Sequence, residues 1–187
     1  MKLKALVLVP LAVSALALTA CSSDDGGDAL DTTSCAPVPQ GFSGQPTWTV
    51  DGTSGKATFA VTDDAKNAAP KIDLSTPFKV DQTQVKTLKQ GSGAEVTDAS
   101  TVTVCYEGVN GTTGKTFDSA YDRGAPEQFP ASGVVPGFRK ALVGQKVGST
   151  VGVVIPSADG YPQGSGDGSI NPGDTIVFGL KILGIEG

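Results

Sequence analysis

VTVCYEGV at residues 102–109, GKTFDSAYDRGAPEQF at 114–129, GVVPGF at 133–138, VVIPSADGYP at 153–162 and INPGDTIVF at 170–178 decide the reading of this chain. Within them Tyr106, Phe117, Phe129, Val134, Val135, Phe138, Tyr161, Ile170 and Phe178 supply apolar or aromatic side chains from strands, turns and loops. Almost nothing reactive accompanies them. The 187 residues contain no histidine, which removes Ser-His-Asp and Cys-His nucleophilic systems and most zinc-site patterns. No metal and no cofactor is expected. The combination predicts a greasy cleft that acts on a substrate by environment rather than by attack.

Working outward, residues 101–107 alternate as a strand. Val102, Val104 and Tyr106 share one face, and Thr101, Thr103 and Cys105 share the other. Tyr106 is therefore expected inside and Cys105 outside, within reach of the N-terminal part of the chain. Residues 79–88 alternate loosely and end at the turn-like KQGSG, and residues 110–114 form a turn. Residues 149–155 and 174–185 read as further strands, with Ile176, Phe178, Leu180 and Ile182 facing one way. One short helix follows GVV: Pro136 suits its first position, Phe138, Ala141 and Leu142 fall on one stripe, and Gly144 fits its stop. The expected fold is α+β, a strongly bent antiparallel β-sheet wrapped around one short α-helix, one face on the helix and the other in water.

Five fragments in this order resemble the FKBP-type peptidyl-prolyl cis-trans isomerases, over about residues 80–187. The resemblance implies an FKBP-like fold and catalysis of X-Pro isomerisation. It further implies binding of macrolide inhibitors in the same cleft. Carried over by motif, the tyrosine of V-x-Y-x-G is Tyr106, and FDS gives the wall residue Phe117 and the cleft carboxylate Asp118. The phenylalanine after R-x-x-P is Phe129. The pair before the helix is Val134 and Val135, the second offering its backbone N–H to a substrate carbonyl. The floor is Phe138, the tyrosine after the Ile-Pro strand end is Tyr161, the loop isoleucine is Ile170, and the last strand gives Phe178. Tyr106, Asp118, Val135 and Tyr161 are the expected catalytic groups, and the others bind substrate. Asp118 has a second reading as the partner of Arg123 at a turn, and Phe117 and Phe178 as ordinary core. The chain departs from the family where Phe138 replaces tryptophan, where Glu127 replaces an apolar residue, and where Pro162 replaces glycine. The Gly-rich stretch 163–169 is expected to give a mobile loop. A non-catalytic module that grips proline peptides on the same fold is the alternative function.

The N-terminal third reads differently. Lys2 and Lys4, an apolar run over 5–18, and LTAC at 18–21 form a secretory signal (1–20) with a lipidation site at Cys21. The run is too short to span a bilayer comfortably. Acyl chains on Cys21 are expected to hold an exported protein on the outer face of the cell membrane. Residues 21–45, rich in Ser, Asp, Gly and Pro, read as a flexible linker. Residues 46–70 form an N-terminal extension, where TWTV and ATFAV flank DGTSG as in a hairpin. The isomerase domain is expected over 71–187. Loss of the signal removes two lysines and no acid, making the chain two units more negative than its formal −5. With no basic cluster beyond the signal, no nucleic-acid partner is expected. The expected clients are proline-containing exported polypeptides. Export also allows Cys35 and Cys105 to pair. Such a bridge closes a loop of about 70 residues and is worth roughly 4 kcal/mol in the chain-entropy model; two unpaired thiols are the open alternative.

Overall fold

A computed structural model describes residues 30–38, 46–61 and 68–186. The expected signal, the lipidation site Cys21 and most of the linker lie outside the described residues. In chain order the elements are β1 (Trp48–Asp51), β2 (Ser54–Ala60), β3 (Lys71–Lys79), β4 (Gln84–Lys89), β5 (Thr101–Asn110), β6 (Thr116–Ser119), α1 (Ala120–Arg123), β7 (Glu127–Pro130), α2 (Pro136–Leu142), β8 (Thr150–Ile155) and β9 (Ile176–Glu186). The fold is the expected one: antiparallel sheet with one helix of seven residues packed against it.

The larger sheet runs β4-β8-β9-β5-β6. Its spine is β5 against β9, antiparallel from Thr101↔Glu186 to Asn110↔Ile176, with one irregularity after Thr103. The far edge of β5 is shared in sequence. β6 pairs with its second half, the chain leaves through α1, and β7 returns to pair with its first half. That detour lifts residues 120–126 out of the sheet and brings Phe117, Asp118, Arg123 and Phe129 around one end of it. Residues 79–88 do not form one strand: β3 ends at Lys79 and β4 begins at Gln84.

Helix α2 lies on the concave face. Pro136 opens it, and Phe138, Ala141 and Leu142 are buried beneath it. Gly137 lets it approach β8, since a Cβ there would sit 2.3 Å from Ile155 Cγ2. Val143 caps it through its N–H to the Arg139 carbonyl, and Gly144 follows at φ +83°. The principal core fills the space between, with Val102, Val104, Leu142, Val151, Ile155, Leu180 and Ile182 at or near zero exposure.

The convex face is not left to water, as the alternation alone would have it. Thr103 and Cys105 are 5% and 0% exposed. Residues 30–38 cover that part of β5: Cys35 is buried, its N–H donates to the Gly124 carbonyl, and its sulfur is bonded to Cys105 with the two Cα atoms 5.7 Å apart. Farther along, β1, β2 and β3 form a separate three-stranded sheet. It buries Phe59 and Phe78 against Val154 and Val177 in a second core. Two glycines of the large sheet admit it. A Cβ on Gly152 would meet Phe59 at 2.9 Å and Trp48 at 3.2 Å, and one on Gly179 would meet Pro70 at 2.5 Å. The hairpin of β1 and β2 takes the register Trp48↔Phe59, and β3 completes its sheet across the 70/71 position.

Candidate active site

The concave end of the large sheet holds a hollow of about 280 Å³ lined by Tyr106, Phe117, Asp118, Phe129, Gly133, Val134, Val135, Phe138, Tyr161 and Phe178. Strand β5 contributes Tyr106, β6 contributes Phe117 and Asp118, β7 contributes Phe129, the entry to α2 contributes Val134, Val135 and Phe138, and β9 contributes Phe178. Every sequence-expected pocket residue but one therefore meets here. Ile170 does not line the hollow. Its side chain is 2% exposed and belongs to the principal core, because its N–H and carbonyl are both held by Ser165, at 2.9 and 2.8 Å, which turns the side chain inward. The loop around it is closed by further bonds from Ser165 and Ser169 to Asp167, which hold that carboxyl at about 2.

The walls are aromatic and packed edge to face. Phe138 lies 4.8 Å from Phe178, 5.7 Å from Phe129 and 6.0 Å from Tyr106 between ring centroids, at interplanar angles of 83°, 70° and 81°. Phe117 closes on Phe178 at 5.5 Å and 83°. Each contact sets a ring edge on a neighbour's π face, the geometry favoured by the aromatic quadrupole. Gly108 makes room for it. A Cβ there would stand 2.6 Å from Phe178 Cε1 and 2.7 Å from Phe117 Cζ. This glycine and Gly133 are the site positions that the reading of side chains passed over; the final glycine of V-x-Y-x-G was the available signal.

One polar cluster interrupts the rim. The Tyr106 hydroxyl donates to Asp118 Oδ2 at 2.5 Å, Arg123 Nη1 donates to Asp118 Oδ1 at 2.6 Å, and Arg123 Nη2 donates to the Tyr106 hydroxyl at 3.1 Å. Arg123 also reaches Glu127 at 3.1 Å, so the residue standing in an apolar position finds a partner in this triangle. Asp118 thus takes both parts foreseen for it, turn partner and cleft carboxylate. Burial, then the Asp118 carboxylate, push the Tyr106 phenol above its ordinary value, and the Asp118 hydrogen bond raises the Arg123 guanidinium. Tyr106 stays a neutral donor and Arg123 a cation. Among the described residues, neither the Val135 N–H nor the Tyr161 hydroxyl has a hydrogen-bond partner. The site therefore has an apolar floor, a fixed polar rim and donors that are unspent. It has no group placed to attack or to shuttle a proton.

Comparison with known proteins agrees with that chemistry. Residues 92–183 match the family described as FKBP-type peptidyl-prolyl cis-trans isomerase. A probable FK506-binding protein of Corynebacterium glutamicum is 35% identical over 117 residues, 61% of this chain and 96% of the relative. The chain belongs to the FKBP-type peptidyl-prolyl cis-trans isomerase family. An FK506-binding protein of Streptomyces anulatus is 32% identical over 119 residues, covering 62% of this chain and 96% of that protein. Among solved structures, a peptidyl-prolyl cis-trans isomerase from Pseudomonas syringae pv. tomato superposes with a TM-score of 0.50 at 28% identity, over 56% of this chain and 76% of that one. The protein is an isomerase of X-Pro peptide bonds.

Proposed function

We propose that this isomerase is exported, held at the outer face of the cell membrane by acyl chains on Cys21, and turns X-Pro bonds of exported polypeptides in the aromatic hollow. The observation that carries the site assignment is the coincidence of a box of edge-to-face rings with two unspent donors, the Val135 N–H and the Tyr161 hydroxyl. The proline ring sits on Phe138 between Phe178, Phe129 and Tyr106. Phe117, Val134 and the rim carboxylate Asp118 border the residue before it, and the two donors hold its carbonyl.

Rotation about the peptide bond breaks amide resonance, with a barrier of about 18–20 kcal/mol, and uncatalysed X-Pro exchange takes tens of seconds. The planar amide is strongly dipolar and is stabilised by water. The twisted amide is less delocalised and depends less on that solvation. A hollow that excludes water disfavours the planar state relative to the twisted one. Fixed donors on the carbonyl let the proline ring turn while the other side of the bond stays still. Bringing exchange to milliseconds takes about 10⁴ in rate, roughly 5.5 kcal/mol, within reach of desolvation plus one or two oriented hydrogen bonds. No proton is transferred and no covalent intermediate forms. Macrolide inhibitors that present a proline-like ring compete for the same floor.

A proline-limited refolding assay tests the site: the protein accelerates the slow phase, and Phe138→Ala and Tyr161→Ala each reduce that acceleration. Full activity in both variants refutes the assignment. Mass measurement of the N-terminal peptide, with Cys21→Ser as control, tests the anchor. A soluble chain with an unmodified Cys21 would refute it.

A further inference from the structure

A second groove, of about 510 Å³, adjoins the cleft along the exposed side of α2. Val134 lines both hollows, so the groove begins where the cleft wall ends. Its floor is apolar, from Val134, Pro136 and Val143, and its rim carries Arg139, Lys140 and Asp98. Arg139 and Lys140 bring two cations to it, each facing one carboxylate, Asp98 and Asp159. The two cations are not saturated. Arg139 places both Nε and Nη2 on one oxygen, Asp98 Oδ1, at 2.7 and 2.6 Å, which leaves most of the guanidinium's five donors unspent. Lys140 meets Asp159 Oδ2 at 2.7 Å through one of its three. Both pairs are substantially exposed, so exchanging one carboxylate for another there costs little. A groove at β6 and α1 that also borders the cleft is less able to take a new partner, because its Asp118 and Arg123 are already joined in the Tyr106 triangle.

We infer that the α2 groove holds the stretch of substrate polypeptide flanking the proline and prefers an acidic side chain in it. This rests on the reading that the aromatic hollow holds the proline ring. An extended chain leaving that hollow advances about 3.3 Å per residue. A scan of positions about one to four residues from the proline therefore covers the side chain that this path sets beside Arg139 and Lys140.

The test is a pair of peptide series, identical except for Asp, Asn or Lys at those distances, before the proline in one series and after it in the other. The intact protein turns them over at low and at high salt. In one series kcat/KM for the Asp peptide exceeds that for the Lys peptide by about two- to fivefold at low salt, as expected for an exposed ion pair, and the ratio shrinks as salt screens it. Arg139→Gln with Lys140→Gln brings the ratio near one, Asp98→Asn raises it, and Lys56→Gln with Lys79→Gln, an equal charge change on the small sheet, leaves it in place. Equal rates for Asp and Lys peptides in both series overturn the inference, as does a ratio that Lys56→Gln with Lys79→Gln lowers equally. Phe138→Ala lowers turnover of every peptide if the hollow is the reacting site, whichever way the ratio falls, so the two readings fail separately.

Discussion

The Tyr106 hydroxyl and the Arg123 guanidinium share one carboxylate, Asp118, each taking a different oxygen, at 2.5 and 2.6 Å. Arg123 Cζ also lies 5.8 Å from the centre of the Tyr106 ring. A half-exposed ion pair thereby fixes a buried phenol, and through the phenol one wall of the hollow. Exposed ion pairs contribute little by themselves. This one acts by giving the buried hydroxyl a fixed acceptor in Asp118 and a fixed donor in Arg123.

Asp118→Ala leaves that phenol without its acceptor and Arg123 with Glu127 as its remaining carboxylate partner. Hydrogen bonds to charged groups are worth about 1.5–3 kcal/mol, so kcat/KM on a proline peptide falls about ten- to a hundredfold. Tyr106→Phe costs less, since the Asp118–Arg123 pair and the ring both survive. Parent-like turnover by Asp118→Ala would take the triangle out of the mechanism.

Gly108→Ala places a methyl group where Phe178 and Phe117 now approach within 2.6 and 2.7 Å of its position. Neither ring can yield without opening the wall it forms with Phe138. Overpacking of this kind costs about 1–3 kcal/mol, read in a denaturant titration. Both rings line the hollow proposed to hold the proline, so KM for a proline peptide is expected to rise as well. A variant that loses stability but keeps KM would mean that the wall re-forms unaided.

Most of the hollow was legible because its parts are local. A strand that alternates Val102, Val104, Tyr106 declares its inner face, and Pro136 with Phe138, Ala141 and Leu142 declares a helix and its stripe. Motif order then placed rings that periodicity could not bring together. Alternation puts Cys105 on the outer face within reach of the N-terminal chain, and the Cys35 bridge offered for it is present. Much of the rest depends on partners far along the chain: the outer face is also covered by a sheet whose strands give no sign of where they dock. The family analogy places Ile170 at the pocket; the Ser165–Ile170 turn that sends it into the core is local, but no periodicity records it. Gly108, Gly152 and Gly179 matter through side chains they lack, which no hydrophobic pattern records.

Reduction of the Cys35–Cys105 bond opens a loop of 70 residues. The chain-entropy model assigns such a loop roughly 4 kcal/mol. The denaturant midpoint drops accordingly in Cys35→Ala with Cys105→Ala, with the slope changed if the unfolded chain expands. Isomerase activity under native conditions changes far less, because Cys105 faces away from the hollow that Tyr106 lines. Equal midpoints with and without reductant would show that residues 30–38 are held by packing and by the Cys35 N–H bond to Gly124 alone.

Stability responds to pH at both ends of the scale, and turnover is level between them. Burial alone would raise the Asp174 carboxyl, but Thr112, the Asn171 N–H and Asn110 donate to it and together bring it below its ordinary 3.8. A depressed carboxyl stabilises the fold above that value, and the contribution is lost as pH falls through the lower folded value. Asp174→Asn therefore flattens the acid limb of a melting-temperature profile. Glu107 works the other way: burial raises it above 4.5, so its contribution is present below that value and fades as pH rises past it. Glu107→Gln thus gains relative stability towards neutral pH. At the alkaline end burial raises Tyr106, and more so Tyr121, above 10. The fold keeps their contribution up to about pH 10 and loses it beyond. Between these limits nothing in the hollow is placed to pass a proton, and the chain has no histidine. Turnover of a neutral proline peptide is consequently flat from about pH 6 to 9. A tenfold change across that window would require a titrating group in the rotation step, which the environment-only mechanism does not contain.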